Sequence, residues 1–285
     1  RHAVNVIEHP EGGLLVVGRE NLVRYTDDGA LDLSFGSGGM VDKSYHNFGW
    51  GSSVAITADG RIVVGGDYAG GTYWRQAYYS LSGETLSAGD VSQDRVGSAF
   101  LRGVYPSGDG TIVMVGNTGG ALKSVRVGPA GNHIADYDLP RIGHSGSEQS
   151  MRLPDGKILL MGQDYSSGSN DLSVIRINQD GSPDTSFGTD TGVTLVPLSS
   201  GRDENGYGVS LQADGKILLV GDMENDSNKD IVVARLNYDG SLDTTFGVDG
   251  AFHVPDLVQD DETGYAVLAL PDGKILIAGG TGTSS

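Results

Sequence analysis

The sequence predicts an all-β chain, a β-propeller of four-stranded blades with six blades, five repeats complete and the sixth partial. Three observations carry this expectation. One phrase, an Asp-Gly turn followed by an apolar run that ends in glycine, recurs along the whole chain. Glycine supplies 46 of the 285 residues, against a usual share of roughly 7%, and that load disfavours long helices because each interior glycine costs about 1 kcal/mol relative to alanine. Further short apolar runs follow, with a second Asp-Gly turn at Gly29, Gly181 and Gly240, which makes four strands per unit.

The clearest copies are Asp155-Gly156-Lys157-Ile158-Leu159-Leu160-Met161-Gly162 and Asp214-Gly215-Lys216-Ile217-Leu218-Leu219-Val220-Gly221. The first copy, Glu11-Gly12-Gly13-Leu14-Leu15-Val16-Val17-Gly18, is degenerate. The turn glycines are Gly12, Gly60, Gly110, Gly156, Gly215 and Gly273, so the repeats span 1–285 as one expected domain. In each unit the strand before the turn alternates, as in Gly208-Val209-Ser210-Leu211. The run after the turn does not alternate, which implies burial on both faces. Asp230 to Asn237 shows the third strand, and Gly240-Ser241-Leu242-Asp243-Thr244-Thr245-Phe246-Gly247 follows the second turn. The same outer phrase ends in Phe35-Gly36 and Phe187-Gly188. Phe35, Phe187 and Phe246 are therefore expected between adjacent blades.

The phrases PDGKIL, ARLNxDGSLDTTFG and YAVLALPDGKILIAG resemble the delta-60 repeat, a propeller-type repeat of bacterial surface and secreted proteins with a kelch-like strand layout. The match is tight in the units at Gly156 and Gly215 and loose at Gly60 and Gly110, where Gly83-Glu84-Thr85-Leu86 and Gly131-Asn132-His133-Ile134 replace the Leu-Asp-x-Ser-Phe-Gly phrase. The resemblance implies the fold and an extracellular or cell-surface location. It supplies no catalytic motif.

Composition narrows the chemistry. With 19 basic and 37 acidic residues the net charge is −18, which repels nucleic acid and anionic membrane surfaces. No apolar run reaches the ~20 residues that span a bilayer, so no membrane insertion is expected. Cysteine is absent, which removes disulfides, thiolate-ligated zinc and thiol nucleophiles. No cofactor is expected, and any specific metal ion should be a hard cation held by oxygens, Ca²⁺ first. The histidines show no HxH or HExxH spacing. Asn178-x-Asp180-Gly181 and Asn237-x-Asp239-Gly240 lack the EF-hand frame, with Arg235 and Phe246 at its first and twelfth positions, and read as hairpin turns.

Strand direction sorts the loops into two sets. The Asp-Gly turns are short and alike and lie at one end of the blades. The loops between second and third strands, and between units, vary and lie at the other, where binding residues are expected. Trp50, Tyr68, Tyr73 and Trp74 fall among them as candidates to grip a sugar ring or a peptide, with core filling as the alternative. Asp203 and Glu204 stand the same distance before Gly215 as Asp261 and Glu262 before Gly273. Placed at the mouth of a central channel, they could hold Ca²⁺ or act as an acid/base pair. Their recurrence favours a repeat-encoded polar loop. Arg24, Arg126, Arg176 and Arg235 recur too, each five residues before a turn glycine, which fits pairing with turn carboxylates better than anion binding. The leading functional expectation is a non-enzymatic module that binds a protein or carbohydrate partner. The alternative is a secreted lyase or hydrolase acting on a carbohydrate or lactone. Oligomeric state is left open.

Overall fold

The computed structural model describes residues 3–18, 20–46, 48–68, 73–91, 99–118, 121–140, 150–164, 168–189, 191–196, 198, 201–225, 228–254 and 260–282. They form six successive antiparallel sheets. The first sheet holds β1 (Ala3–Glu8), β2 (Leu14–Gly18), β3 (Asn21–Tyr25) and β4 (Met40–Asp42). The second holds β5 (Phe48–Ile56), β6 (Ile62–Tyr68), β7 (Trp74–Tyr79) and β8 (Thr85–Asp90). The third holds β9 (Ala99–Pro106), β10 (Ile112–Thr118), β11 (Ala121–Val127) and β12 (His133–Asp138). The fourth holds β13 (Ser150–Arg152), β14 (Ile158–Asp164), β15 (Asp171–Ile177) and β16 (Val193–Val196). The fifth holds β17 (Glu204–Leu211), β18 (Ile217–Glu224), β19 (Lys229–Leu236) and β20 (Ala251–His253). The sixth contains only β21 (Asp261–Ala269) and β22 (Ile275–Gly282) among the described residues. Strand order follows chain order in every sheet, so five are complete up-and-down blades and one is half a blade. The fold is a β-propeller. The chain divides into two compact units, Arg1–Leu139 with Gln179–Ser182, and Pro140–Asn178 with Pro183–Ser285.

Packing explains why the second strands of the second to fifth blades are apolar throughout. In β6, Ile62 and Val64 join a cluster with Leu15, Val17 and Phe35 of the first sheet. The residue between them, Val63, joins Ile112, Met114 and Val104 of the third sheet. Successive side chains of a strand point to opposite faces, and here each face meets a neighbouring sheet. In β18 the same division sends Ile217 and Leu219 to the fourth sheet and Leu218 and Val220 to the sixth.

The Asp-Gly turns owe both residues to geometry. Gly156 has φ 88°, a left-handed value that costs glycine little and other residues much. Its N–H donates to the Leu153 carbonyl at 2.9 Å, and Leu153 N–H donates to Lys157 O at 2.7 Å. Asp155 Oδ1 accepts from Lys157 N at 3.0 Å, a local cap that recurs at Asp109, Asp180, Asp214, Asp239 and Asp272. The glycine closing the apolar run serves a different need. A Cβ on Gly221 would stand 1.8 Å from the Asn205 carbonyl oxygen, where β17 shifts register between Gly206 and Gly208.

Within each unit, side chains of the third and fourth strands reach carbonyls of later outer turns. Gln76 donates to Gly131 O at 2.9 Å, Ser124 to Gly181 O at 2.5 Å, and Thr194 to Gly240 O at 2.8 Å. Phe35 and Phe187 are fully buried, each in one cluster with residues of the third strand of the following sheet: Ala77 and Tyr79 for Phe35, Ala234 and Leu236 for Phe187. Phe246 is only half-buried, and like Ile275 and Ile277 it packs against the cluster of Leu218, Val220, Ile231, Val233 and Val267. The expectation that all three phenylalanines are buried therefore holds for two, and the third is half-buried beside the sheet that has two strands among the described residues.

Candidate functional site

The variable-loop end of the second sheet brings together most of the aromatic candidates. Tyr68 ends β6 and Tyr73 precedes β7; Tyr68 N–H donates to Tyr73 O at 2.8 Å, which closes the hairpin. Their rings stack at 4.5 Å and 12°. Arg75, on β7, places its guanidinium 5.6 Å from the Tyr68 ring. It also donates to the His46 carbonyl at 2.7 Å and pairs with Asp90 at 2.8 Å. His46 meets Phe48 and Tyr79 edge-on. Burial, then Arg75 and Lys43, lower its pKa. Lys43 is itself fully buried, with its ammonium 4.9 Å from the Phe48 ring. Burial pulls its pKa down to about 8, against the pull of Asp67 and Glu20. Tyr68 is half-buried, and Tyr73 is nearly covered beneath it.

Trp74 corrects the expectation of an exposed aromatic. Its side chain is 1% exposed and sits in the core with Val63, Leu101, Val104 and Met114. As the first residue of β7 it points between the second and third sheets and fills space there, the core-filling alternative. Trp50 lies on β5, and its side chain is outside the described residues.

The recurring carboxylates hold backbone. Glu204 is fully buried, and both its oxygens accept from Leu198 N, at 3.0 and 3.1 Å. Asp203 Oδ1 accepts from Asn170 N at 2.8 Å, and Asp261 Oδ1 accepts from Lys229 N at 3.0 Å. These two bonds are equivalent: a carboxylate at the start of the first strand of one blade caps the entry to the third strand of the preceding blade. Glu262 is fully buried at the position matching Glu204. The pairs are thus repeat-encoded joints between sheets. Among the described residues no group of three or more His, Asp or Glu converges as a metal site. No described helix is long and apolar enough to cross a membrane.

The recurring arginines form locks beneath the outer turns. Arg176 pairs with Asp184 at 2.6 Å, and Lys157, just after the Asp-Gly turn, reaches the same oxygen at 2.6 Å. The Arg176 guanidinium also covers the Phe187 ring at 4.5 Å. The fifth sheet repeats this with Arg235, Lys216, Asp243 and Phe246. Burial alone would raise the Asp184 carboxyl, but Lys157, Ser186 and Arg176 hold it well below the usual carboxylate range. Lys216, then the Thr245 hydroxyl, do the same for Asp243. The sequence reading paired the arginines correctly and missed the lysines, whose recurrence after Asp155-Gly156, Asp214-Gly215 and Asp272-Gly273 was the available signal. Between the outer turns of the fourth and fifth sheets lies an open cleft of about 440 Å³, lined by Ser186, Thr189, Leu195, Asp239, Ser241 and Leu242. Its Ser186 and Ser241 hydroxyls are already taken by Asp184 and Asp239.

Solved structures share this architecture. Kuenenia stuttgartiensis hydrazine synthase is 16% identical with a TM-score of 0.58, over 98% of this chain and 83% of that one. The Dos1 propeller is 10% identical with a TM-score of 0.52, over 96% of this chain and 66% of that one. Drosophila semaphorin 1b, extracellular domains 1-2, is 11% identical with a TM-score of 0.50, over 82% of this chain and 52% of that one. At such identities the likeness is one of fold. Comparison with curated proteins finds no match. The two most regular repeats, residues 153–187 and 212–246, match the family model described as a domain of unknown function (DUF5122) beta-propeller, in keeping with a propeller repeat of the delta-60 type.

Proposed function

We propose that this chain is a non-enzymatic binding module of a bacterial secreted or cell-surface protein, taking a carbohydrate or protein partner at the variable-loop end of the second sheet. The observation that carries the reading is the stacked Tyr68–Tyr73 pair with the Arg75 guanidinium beside it. Aromatic faces and a neighbouring cation are the groups that grip sugar rings and peptides. The carboxylates that a lyase or hydrolase would use support the same side of the choice: Asp203, Glu204 and Asp261 are spent on backbone amides. Location at the cell exterior rests on the delta-60 resemblance.

Affinity electrophoresis through gels containing neutral or acidic polysaccharides, with a peptide array in parallel, tests the proposal. Retardation or peptide capture that Tyr68→Ala abolishes, with an unchanged melting temperature, is the expected result. Leu33→Ser, at an exposed outer-turn position, should leave binding intact. Turnover of a polysaccharide or lactone that survives Tyr68→Ala would overturn the reading.

A further inference from the structure

The second and third blades carry the same cross-strand charge pair and differ in what stands at the end of the second strand. Arg75 on β7 lies directly opposite Asp90 on β8, and their side chains meet at 2.8 Å. Lys123 on β11 lies opposite Asp138 on β12, and their side chains meet at 3.3 Å. The last residue of β6 is Tyr68, stacked on Tyr73 with the Arg75 guanidinium 5.6 Å from its ring. The matching residue at the end of β10 is Thr118, which offers no ring face.

Arg75 is held at two points. Its Nη1 donates to the His46 carbonyl at 2.7 Å while Asp90 stands against its Nε. A planar fork fixed in this way aims its remaining N–H groups in set directions, which a lysine ammonium does not. A carboxylate accepts about four hydrogen bonds, and Asp90, with its side chain 42% exposed, keeps part of that capacity for a ligand. Charge narrows the ligand further. Arg75 is answered by Asp90, and Lys43 by Asp67 and Glu20, in a chain whose net charge is −18. Both cations are balanced, and the surrounding field repels an anion.

We propose, resting on the binding reading above, that the Arg75–Asp90 pair reads two adjacent hydroxyls on a sugar ring of a neutral polysaccharide. The half-buried Tyr68 ring packs against a C–H face of the same sugar. Asp90 accepts from the hydroxyls, and Arg75 donates to their oxygens. The aromatic rings supply contact area and the charge pair supplies selection, because a site built to bond hydroxyls discriminates strongly against a ligand that lacks them. A peptide carries no such pair of adjacent hydroxyls. An acidic polysaccharide brings its own carboxylate towards Asp90.

Affinity electrophoresis of the intact chain tests this with galactomannan, laminarin and dextran as neutral probes, polygalacturonate as the anionic one, and the peptide array alongside. Retardation by at least one neutral polysaccharide and none by polygalacturonate is expected. O-methylation of the retarding polysaccharide keeps its C–H faces, removes its hydroxyl donors and should abolish the effect. Asp90→Asn should weaken binding about tenfold, the scale of one charge-assisted hydrogen bond. Asp138→Asn in the third blade should leave it unchanged. Both aspartates are exposed, and melting temperatures check that each variant folds. Retardation that Tyr68→Ala abolishes, but that O-methylation and Asp90→Asn leave alone, would overturn the hydroxyl assignment and spare the binding site. Equal losses from Asp90→Asn and Asp138→Asn would reduce both pairs to strand pairing and overturn it too. So would equal retardation by polygalacturonate, or peptide capture without any retardation. Absence of binding to every polysaccharide and peptide would fell the binding reading itself, and the hydroxyl assignment with it.

Discussion

The fourth and fifth blades and the second blade solve one problem with the same kinds of group in exchanged places. In the fourth blade, Arg176 lies opposite Leu159 on the third strand, stacks on Phe187 and pairs with Asp184, while Lys157 of the turn supplies a second cation. In the second blade the position opposite Val63 is Tyr78, and the turn position is Arg61. The Arg61 guanidinium covers the Tyr78 ring at 4.5 Å and pairs with Asp59 at 2.8 Å. Cation and ring have traded strands, and the acid has moved from the outer turn to the inner one. The third blade keeps Arg126 opposite Val113 but pairs it with Asp109 of the inner turn. What the repeat conserves between blades is therefore a stacked or paired cation under the turns, a demand of packing. Drift from the phrase at Gly60 and Gly110 reflects a second solution to that demand.

If the less regular blades rely on core aromatics where the regular ones rely on the phenylalanine lock, the largest effects should come from removing either. Trp74→Ala should cost about 3–5 kcal/mol in denaturant unfolding, because it empties a large buried volume. Phe187→Ala should cost a similar amount. Phe246→Ala should cost clearly less than Phe187→Ala, since Phe246 is half-buried. Equal losses for the two phenylalanines would break the argument that burial sets what each contributes.

The lock itself should be next in size. Asp184→Asn strands Arg176 and Lys157, and a loss of about 2–4 kcal/mol is expected, as for one partner removed from a buried charged network. The pH dependence sharpens this. The Asp184 carboxyl is held low in the fold, so its stabilisation is whole above the unfolded value near ~3.9 and is lost as pH falls through the lower folded value. Unfolding curves of the unsubstituted protein should therefore weaken progressively below about pH 4. The Asp184→Asn variant should show a shallower acid slope. A parallel slope in both proteins would remove Asp184 from the lock.

Much of this architecture was legible because local signals repeat. Positive φ at Gly156 and a side-chain cap from Asp155 are demands of the turn, so each blade rewrites the same two letters. The unbroken apolar runs reported burial on both faces, which the alternate packing of Val63 and Val64 bears out. The site was harder to read. Lys157 and Asp184 are 27 residues apart in sequence and meet only once the outer turn folds back over the inner one. Glu204 looked like a candidate for chemistry because a buried carboxylate and an exposed one are the same letter. Trp74 sits at the end of a variable loop, yet it is the first residue of a strand whose face is already committed to the core. One residue of register separates a ligand-facing tryptophan from a packed one.

The smallest expected effect tests whether the exchange of cation and ring is a true equivalence. A double-mutant cycle on Arg61 and Tyr78, using Arg61→Ala and Tyr78→Leu, isolates their coupling from the cost of each truncation. Arg61 is about one-fifth exposed, with its side chain at 21%, and its guanidinium keeps contact with water. A coupling of about 0.5–1 kcal/mol is expected for such a cation–π pair. The corresponding cycle on Arg176 and Phe187 should give a larger value, because the Arg176 side chain is only 4% exposed and such pairs strengthen as they lose solvent. Both cycles are read by chemical denaturation, and each variant must unfold with an unchanged m-value for the coupling to be interpretable. Zero coupling at Arg61–Tyr78 would mean that the second blade holds its turn by packing alone. The two blades would then differ in kind, and the irregular phrase at Gly60 would again need a reason outside the fold.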